Sequence, residues 1–436
     1  MSLGVIVTSS PSATTEAGVS AVIVLAAGGG TRMKSSRSKL LHEVAGRPML
    51  SWAVGAARGL EPRHLVVVVG HLRDQVEAHL AEHSPDVTTA VQAEQKGTGH
   101  AVACGLDGLD DLDGEVVVTY GDVPLLTGET LRDLVAAHRS QGNLVTVLTA
   151  EVEDPTGYGR ILREGQRVRG IVEHKDATQD ELAIREINSG IYVFDAAALR
   201  QGVAQLSDDN TQGEYYLTDV VTMAARGSLD VAGRHGVGAH HTDDVWQTEG
   251  VNDRVQLARM NAEMNRRIVE RWMREGVTVV DPTTTWIEPD VTLARDVTLE
   301  VDTILRGATT VGEGSHIGPH TVLVDTEVGE QAQVRRSEAL LAVIGDQVRV
   351  GPFANLRPGT VLAASARIGA FVETKNTSLG EDAAVPHLAY VGDTTVVAGS
   401  SVAAGTTRGG SGRTAENSGE PSTRHHDETP TPEADQ

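Results

Sequence analysis

The chain has 436 residues, with 60 Asp and Glu against 37 Lys and Arg, for a formal charge of -23. Such a length gives two or three domains, each with room for its own core. The negative charge excludes non-specific binding to nucleic acid and docking on anionic lipid, while a local basic site or a metal can still draw an anionic substrate into a cleft.

Aromatic residues make up only 3% of the chain, and Gly reaches 47. Cores must therefore be built from Val, Leu, Ile and Ala, and the glycines point to many tight corners. Cys104 is the single cysteine, which removes any intramolecular disulfide framework and fits a reducing compartment. No apolar run approaches the roughly 20 residues of a membrane span. The start of the chain lacks a basic flank followed by a long apolar core. The expectation is a cytoplasmic protein with neither membrane nor nucleic acid as partner.

Residues 1–18, rich in Ser, Thr, Gly and Pro, read as a disordered leader. Ala21 to Leu25 reads as a buried strand that ends at Gly28-Gly29-Gly30. Strands are predicted again at Leu65 to Val69, Val116 to Tyr120, Leu144 to Leu148 and Ile187 to Phe194. Helices are predicted between them at Met49 to Leu60, Leu72 to His79 and Gly97 to Leu106. Nearly continuous apolar strands alternating with helices predict a mainly parallel sheet covered on both faces, a three-layer α/β domain over residues 19–250. Val251 to Glu275 reads as one helix, with i,i+4 pairs at Glu263/Arg267 and Glu270/Arg274 and a stop at Gly276. It serves either as a linker over residues 251–276 or as an ordinary surface helix of the first domain.

Beyond residue 290 apolar residues recur six apart: Val311, Ile317, Leu323; then Ile344, Val350, Leu356, Leu362, Ile368; then Leu379, Val385, Val391, Val397, Ala403. Neither a helix nor an alternating strand has that period. Short strands joined by corners do, with each anchor pointing inward and the glycine that often follows it permitting a cramped turn. Stacked hexads predict a parallel β-helix over residues 277–407, in which each rung needs its neighbours to bury its apolar side. From Arg408 to residue 436 the beat stops, and Gly, Ser, Thr, Pro and Glu predict a disordered tail.

Three constellations could carry chemistry. Gly28-Gly29-Gly30-Thr31-Arg32, with Lys39 close behind, follows the first strand, where backbone N–H groups can cradle phosphate oxygens and cations can add charge-assisted contacts. The same run also fits a plain tight connection. Tyr120-Gly121-Asp122 ends another strand, at the carboxyl edge where open parallel sheets bind ligands. Asp122 there can hold Mg²⁺ or merely cap a turn before Val123-Pro124. His387, near Lys375 and Tyr390 in the hexads, is either a general base or one of 16 histidines on the surface.

These segments occur in order with Gln92-Ala93-Glu94-Gln95, Gly97-Thr98-Gly99-His100, Gly170 to Glu173, Glu186 to Gly190, Gln212 to Tyr216 and Glu249 to Asn252. From about residue 20 to 405 the chain thereby resembles the bacterial bifunctional N-acetylglucosamine-1-phosphate uridylyltransferase/glucosamine-1-phosphate N-acetyltransferase family. The resemblance implies a Rossmann-like, mostly parallel nucleotidyltransferase domain followed by a left-handed parallel β-helix, assembled as a homotrimer. It implies uridylyl transfer from UTP to N-acetylglucosamine-1-phosphate, with Mg²⁺ on Asp122 and Asn252. Arg32 and Lys39 would meet the triphosphate. Leu25, Ala26, Ala27, Gly28, Gln92, Gly97, Thr98, Tyr120 and Gly121 would serve the nucleotide, and Gly159, Glu173, Asn188 and Asn252 the sugar.

For the second domain the resemblance places Arg357 and Lys375 on the phosphate of glucosamine-1-phosphate, Tyr390 on the sugar, and His387 as the base that helps the amine attack acetyl-CoA. Two departures stand out. Ser38 precedes Lys39 where the family usually has Pro, which predicts a looser loop. After Asp393 the chain passes to Thr394-Thr395-Val396-Val397 without the further coils and Asn-Tyr-Asp-Gly motif of the family. That predicts an impaired acetyltransferase half. The alternatives are a fully bifunctional enzyme and a non-catalytic sugar-nucleotide sensor or scaffold. Against the last stands the joint presence of Lys39, Asp122 and Asn252.

Overall fold

Six consecutive buried residues, Ala21–Ala26, form the strand around which the first sheet assembles. It pairs in parallel with His64–Val69 on one side and Glu115–Tyr120 on the other. In the computed structural model, which describes residues 19–165 and 167–408, the chain divides into two compact units at Met264 and Asn265. The expected leader at 1–18 and the tail after Arg408 lie outside the described residues.

The full order of the first sheet is Val237–His241, Val145–Glu151, Glu186–Asp195, Glu115–Tyr120, Ala21–Ala26, His64–Val69, Thr88–Val91. Side chains alternate across it, so Ile23, Val66 and Val118 enter one apolar cluster while Val22, Val67 and Val117 enter another. Helices cover both clusters, which makes three layers. Glu186–Asp195 runs antiparallel to both its neighbours. A hairpin of Gly159–Glu164 and Arg167–Val172 extends from that strand. The hairpin, Thr88–Val91 and Val237–His241 carry too few consecutive apolar residues to announce themselves in the sequence.

The helix Arg254–Arg274 contains the division between the units. It ends as expected near Gly276, whose φ of 98° suits glycine. The Val277 N–H bonds the Trp272 carbonyl at 3.0 Å across that end. None of the helices among the described residues is long and apolar enough to cross a membrane.

The second unit is a left-handed parallel β-helix in which each short strand up to Arg349–Val350 pairs with the strand three further along the chain, giving three faces, and the later coils run together into the long strands Arg367–Leu379 and Ala384–Val396. The inward column is continuous, but its step is not always six. Leu323 is followed by Val328, Val334, Ala339 and Ile344, all buried, with steps of five or six residues. The breaks between the phased runs of the sequence therefore arise where five-residue steps fall among the sixes. A further such step corrects the sequence reading: Val391 is followed inward by Val396 (1% exposed) and Val402, whereas Val397 (40% exposed) and Ala403 face out.

Two of the glycines after the anchors, Gly318 (φ 102°) and Gly351 (φ 97°), take the positive φ expected of a cramped turn, and the others do not. Many left-handed corners fall on other residues: Asp302, His320, Arg336, Phe353, Phe371 and Leu388, all with positive φ, succeed one another up one edge. Backbone bonds between coils, such as the Phe353 N–H to the Arg336 carbonyl at 2.7 Å, offset the cost of roughly 1–2 kcal/mol for such a conformation. Gly369, after anchor Ile368, is needed for close approach instead, since a Cβ there would lie 1.4 Å from the Pro386 carbonyl oxygen on the next coil.

The shifted register is open to direct measurement. Val396→Ala is expected to cost roughly 2 kcal/mol in denaturant unfolding, and Val397→Ala about 0.5 kcal/mol or less. The opposite ranking would restore the unbroken six-residue beat.

Candidate functional site

The strands Ala21–Ala26 and Glu115–Tyr120 end side by side, and the loops that leave them enclose a cavity of about 260 Å³. Leu25, Ala26, Ala27 and Gly28 from the first loop line it, as do Lys39, Gln92, Gly97, Thr98, Tyr120 and Asp122. Ten residues singled out in the sequence thus meet at one place. Gly121 sits between two of them, packed so that a Cβ would come within 3.3 Å of Leu40 and Leu50.

At the edge of this cavity the Lys39 ammonium lies 2.5 Å from Asp122 Oδ2 and 3.5 Å from Asn252 Oδ1. Arg32 donates to the same Asn252 oxygen at 2.9 Å. One positive charge is therefore already shared by the carboxylate and the amide oxygen. That donor set suits a hard divalent cation, which takes oxygen ligands and keeps further positions for water or phosphate. Among the described residues no cluster of three or more His, Cys, Asp or Glu could hold a metal by itself. A cation here would need oxygens from a ligand, as Mg²⁺ does when it is bound with a nucleotide.

Local structure holds these groups in place. The Val251 N–H bonds the Asp122 carbonyl at 3.0 Å, and the Asn252 N–H bonds Gln256 Oε1 at 2.7 Å. Asp253 accepts from the N–H groups of Val255 and Gln256 at the start of the helix. Arg254 reaches back to the Met33 carbonyl at 3.2 Å, pinning the turn that carries Arg32.

The loop before Lys39 has a restraint that the sequence did not announce, at Ser38. Its φ of -51° is one that proline would supply, and its N–H, which proline lacks, donates to Gln75 Oε1 at 2.8 Å. Gln75 also donates to the Ser36 carbonyl at 3.0 Å. A side-chain clamp thus stands where the family's proline ring would restrain the chain.

Glu173 lines a second, larger cavity of about 1010 Å³ with Asp176, Thr218 and Asp219. Burial holds its carboxyl above the usual carboxylate range, against the pull of the hydrogen bond from Thr218 at 3.1 Å. Burial, with the Glu173 and Asp122 carboxylates nearby, raises the Tyr120 phenol and keeps it protonated. Asn188 and Gly159 face each other on paired strands, and Asn188 Oδ1 accepts from the Gly190 N–H at 3.0 Å.

In the β-helix, Leu356 pairs with Thr374 and Lys375 pairs with Gly392, so Arg357 and Lys375 occupy equivalent positions on successive coils. Arg357 is ion-paired with Glu373 at 3.0 Å, a partner the sequence did not single out. Glu373 pairs in register with Tyr390, and His387, which is exposed, pairs with Ala370.

Other contributors were also missed. Gln95 lines the smaller cavity and donates to the Ala27 carbonyl at 2.7 Å. Glu214 lines it from a distant segment whose backbone bonds Lys96 and Gly99. Both lie within the quoted motifs, but nothing in their spacing distinguished them from neighbouring polar residues.

A family model described as a MobA-like NTP transferase domain matches residues 22–213. The chain is 73% identical to the bifunctional protein GlmU of Cutibacterium acnes over 89% of this chain and 93% of that protein. It is 53% identical to the bifunctional protein GlmU of Kineococcus radiotolerans over 86% of this chain and 76% of the relative. For that of Streptomyces avermitilis the identity is 54%, over 86% and 77%.

The shared ammonium makes a measurable prediction. Lys39→Met should raise the affinity of the nucleotide-free protein for Mn²⁺ by roughly fivefold, because the competing cation is gone. Electron paramagnetic resonance of free Mn²⁺ reads this directly. Unchanged or weaker binding would mean that Asp122 and Asn252 do not form a cation site.

Proposed function

The chain belongs to the bacterial family of bifunctional uridylyltransferase/acetyltransferase proteins, and from that premise we propose that it carries out both reactions. The first unit transfers a uridylyl group from UTP to N-acetylglucosamine-1-phosphate and releases pyrophosphate. The second acetylates glucosamine-1-phosphate from acetyl-CoA. The observation that carries the first assignment is the meeting of Lys39, Asp122 and Asn252 beside the cavity formed by Leu25 to Gly28.

Asp122 and Asn252 would hold Mg²⁺, which when bound supplies positive charge to the phosphates. The attacking sugar-phosphate oxygen is already anionic, so this reaction needs no strong base. It needs alignment, and positive charge where the leaving pyrophosphate gathers electrons. Lys39 and Arg32 put two cations at the cavity edge for that purpose. Backbone groups of Leu25 to Gly28, with Gln92, Gly97, Thr98, Tyr120 and Gly121, would receive the nucleotide. Gly159, Glu173 and Asn188 would receive the sugar, where half-buried Glu173 can accept a hydroxyl hydrogen bond.

In the second unit His387 would take a proton from the amine as it attacks the thioester carbonyl, and the coenzyme thiol would leave. Arg357 and Lys375 would hold the sugar phosphate, and Tyr390 the ring. Support favours the two-activity reading over an impaired one. The Cutibacterium protein, of which the aligned span makes up 93%, is the shorter of the relatives compared and is named bifunctional. We also infer a homotrimer formed through the β-helix, which light scattering can test.

Two assays on one preparation separate the activities. Asp122→Ala should lower pyrophosphate release from UTP, N-acetylglucosamine-1-phosphate and Mg²⁺ by about 100-fold or more. His387→Ala should lower thiol release from acetyl-CoA and glucosamine-1-phosphate by about 100-fold or more, with pyrophosphate release unchanged. Undiminished turnover in the Asp122 variant would sink the cation assignment. Absence of thiol release from the unmodified trimer would restore the impaired reading.

A further inference from the structure

The helix Thr98–Leu106 begins at Gly97 and places His100 and Cys104 one turn apart on the same face. Opposite its first turn stands Gln92, which follows the strand Thr88–Val91 and is only 5% exposed. Gln92 Nε2 lies 3.0 Å from the Gly97 carbonyl and 3.1 Å from His100 Nδ1. His100 Nε2 lies 3.8 Å from Cys104 Sγ.

The chemistry of these contacts orients the amide and sets the imidazole tautomer. A peptide carbonyl can only accept, so the nitrogen end of the Gln92 amide must face Gly97. The same nitrogen then offers its second hydrogen to His100, which must present a bare Nδ1. That sets the imidazole as its Nε2–H tautomer, with the hydrogen directed at the thiol sulfur, a weak acceptor. Both Gln92 hydrogens are spent inside the protein. Its Oε1 makes no hydrogen bond among the described residues, and Gln92 lines the cavity between Leu25 and Thr98. The side chain therefore presents an acceptor to whatever base enters.

We propose that His100 is a positioning residue for base selection: it locks the Gln92 amide so that an acceptor, not a donor, faces the pyrimidine edge. The inference rests on the reading of this cavity as the uridine site. Uracil carries a hydrogen on N3 and is matched by that acceptor. Cytosine carries a lone pair at N3 and would require the amide reversed. Reversal would set Gln92 Oε1 against two other acceptors, the Gly97 carbonyl and His100 Nδ1, and lone-pair repulsion opposes it. An amide free to rotate would read both bases; this one is held from behind.

The test is equilibrium titration of UTP and of CTP into the full chain with Mg²⁺ and no sugar phosphate. In His100→Leu, UTP affinity should fall roughly three- to tenfold while CTP affinity stays the same or rises, so the preference for UTP narrows by about tenfold. In His100→Asn, whose Oδ1 can stand where Nδ1 stood, the preference should return to within about threefold of the unmodified protein. A merely structural role for His100 would weaken both nucleotides equally. Equal losses in His100→Leu, no change in either affinity, or a preference equally narrowed in His100→Asn would each overturn the proposal. An unmodified protein that binds UTP and CTP alike would instead overturn the uridine reading itself.

Discussion

Two oxygen atoms, one from Asp122 and one from Asn252, are held close enough to share a single positive charge, and much of the first unit is arranged to keep them there. Left without a cation, a partly buried carboxylate beside an amide oxygen would be costly. The Lys39 ammonium meets that need in the ligand-free chain. It also explains how a protein of charge -23 can receive a polyanion: the field that matters is set within a few ångströms by Lys39 and Arg32. The contacts that fix these groups come from three separate places, the end of the Glu115–Tyr120 strand, the start of the Arg254–Arg274 helix, and the loop clamped by Gln75.

The same economy of means is visible in how the Gln92 amide is held. Gln92 owes its orientation to a carbonyl and an imidazole that themselves touch no ligand in the proposed arrangement. Glycine at position 97 permits this, since its φ of 96° would strain other residues and a Cβ there would meet the Tyr215 carbonyl at 2.6 Å. Backbone geometry, amide orientation and tautomer are thus one linked constraint.

Much of this was legible in the sequence, for identifiable reasons. Apolar runs such as Val66 to Val69 can only be buried strands, and the hexads can only be coils of a β-helix. The direction of Glu186–Asp195 was not legible, because an apolar strand buried on both faces looks the same run either way. The Val396-Val397 doublet concealed the last five-residue step, since either valine fits an inward position on hydrophobicity alone. Lys39, Asp122 and Asn252 were recognised through their motifs. Gln75 and Glu373 were not, because each acts through a contact with a residue far along the chain or on the next coil, and no local pattern encodes it. His100 stood inside a quoted motif, but nothing in the motif shows that its ring meets the Gln92 amide.

The corners of the β-helix have a further consequence for how such a chain tolerates change. Successive coils stack Leu305 on Leu323, Leu323 on Ala339 and Ile344 on Leu362, so that a full circuit takes 18, 16 and again 18 residues. In a flat sheet the loss of one residue would invert every side chain after it. Here a corner absorbs the missing residue and the next strand starts again in frame. Insertions and deletions at corners are therefore forgiven, whereas the same change inside a two-residue strand would turn the interior outward.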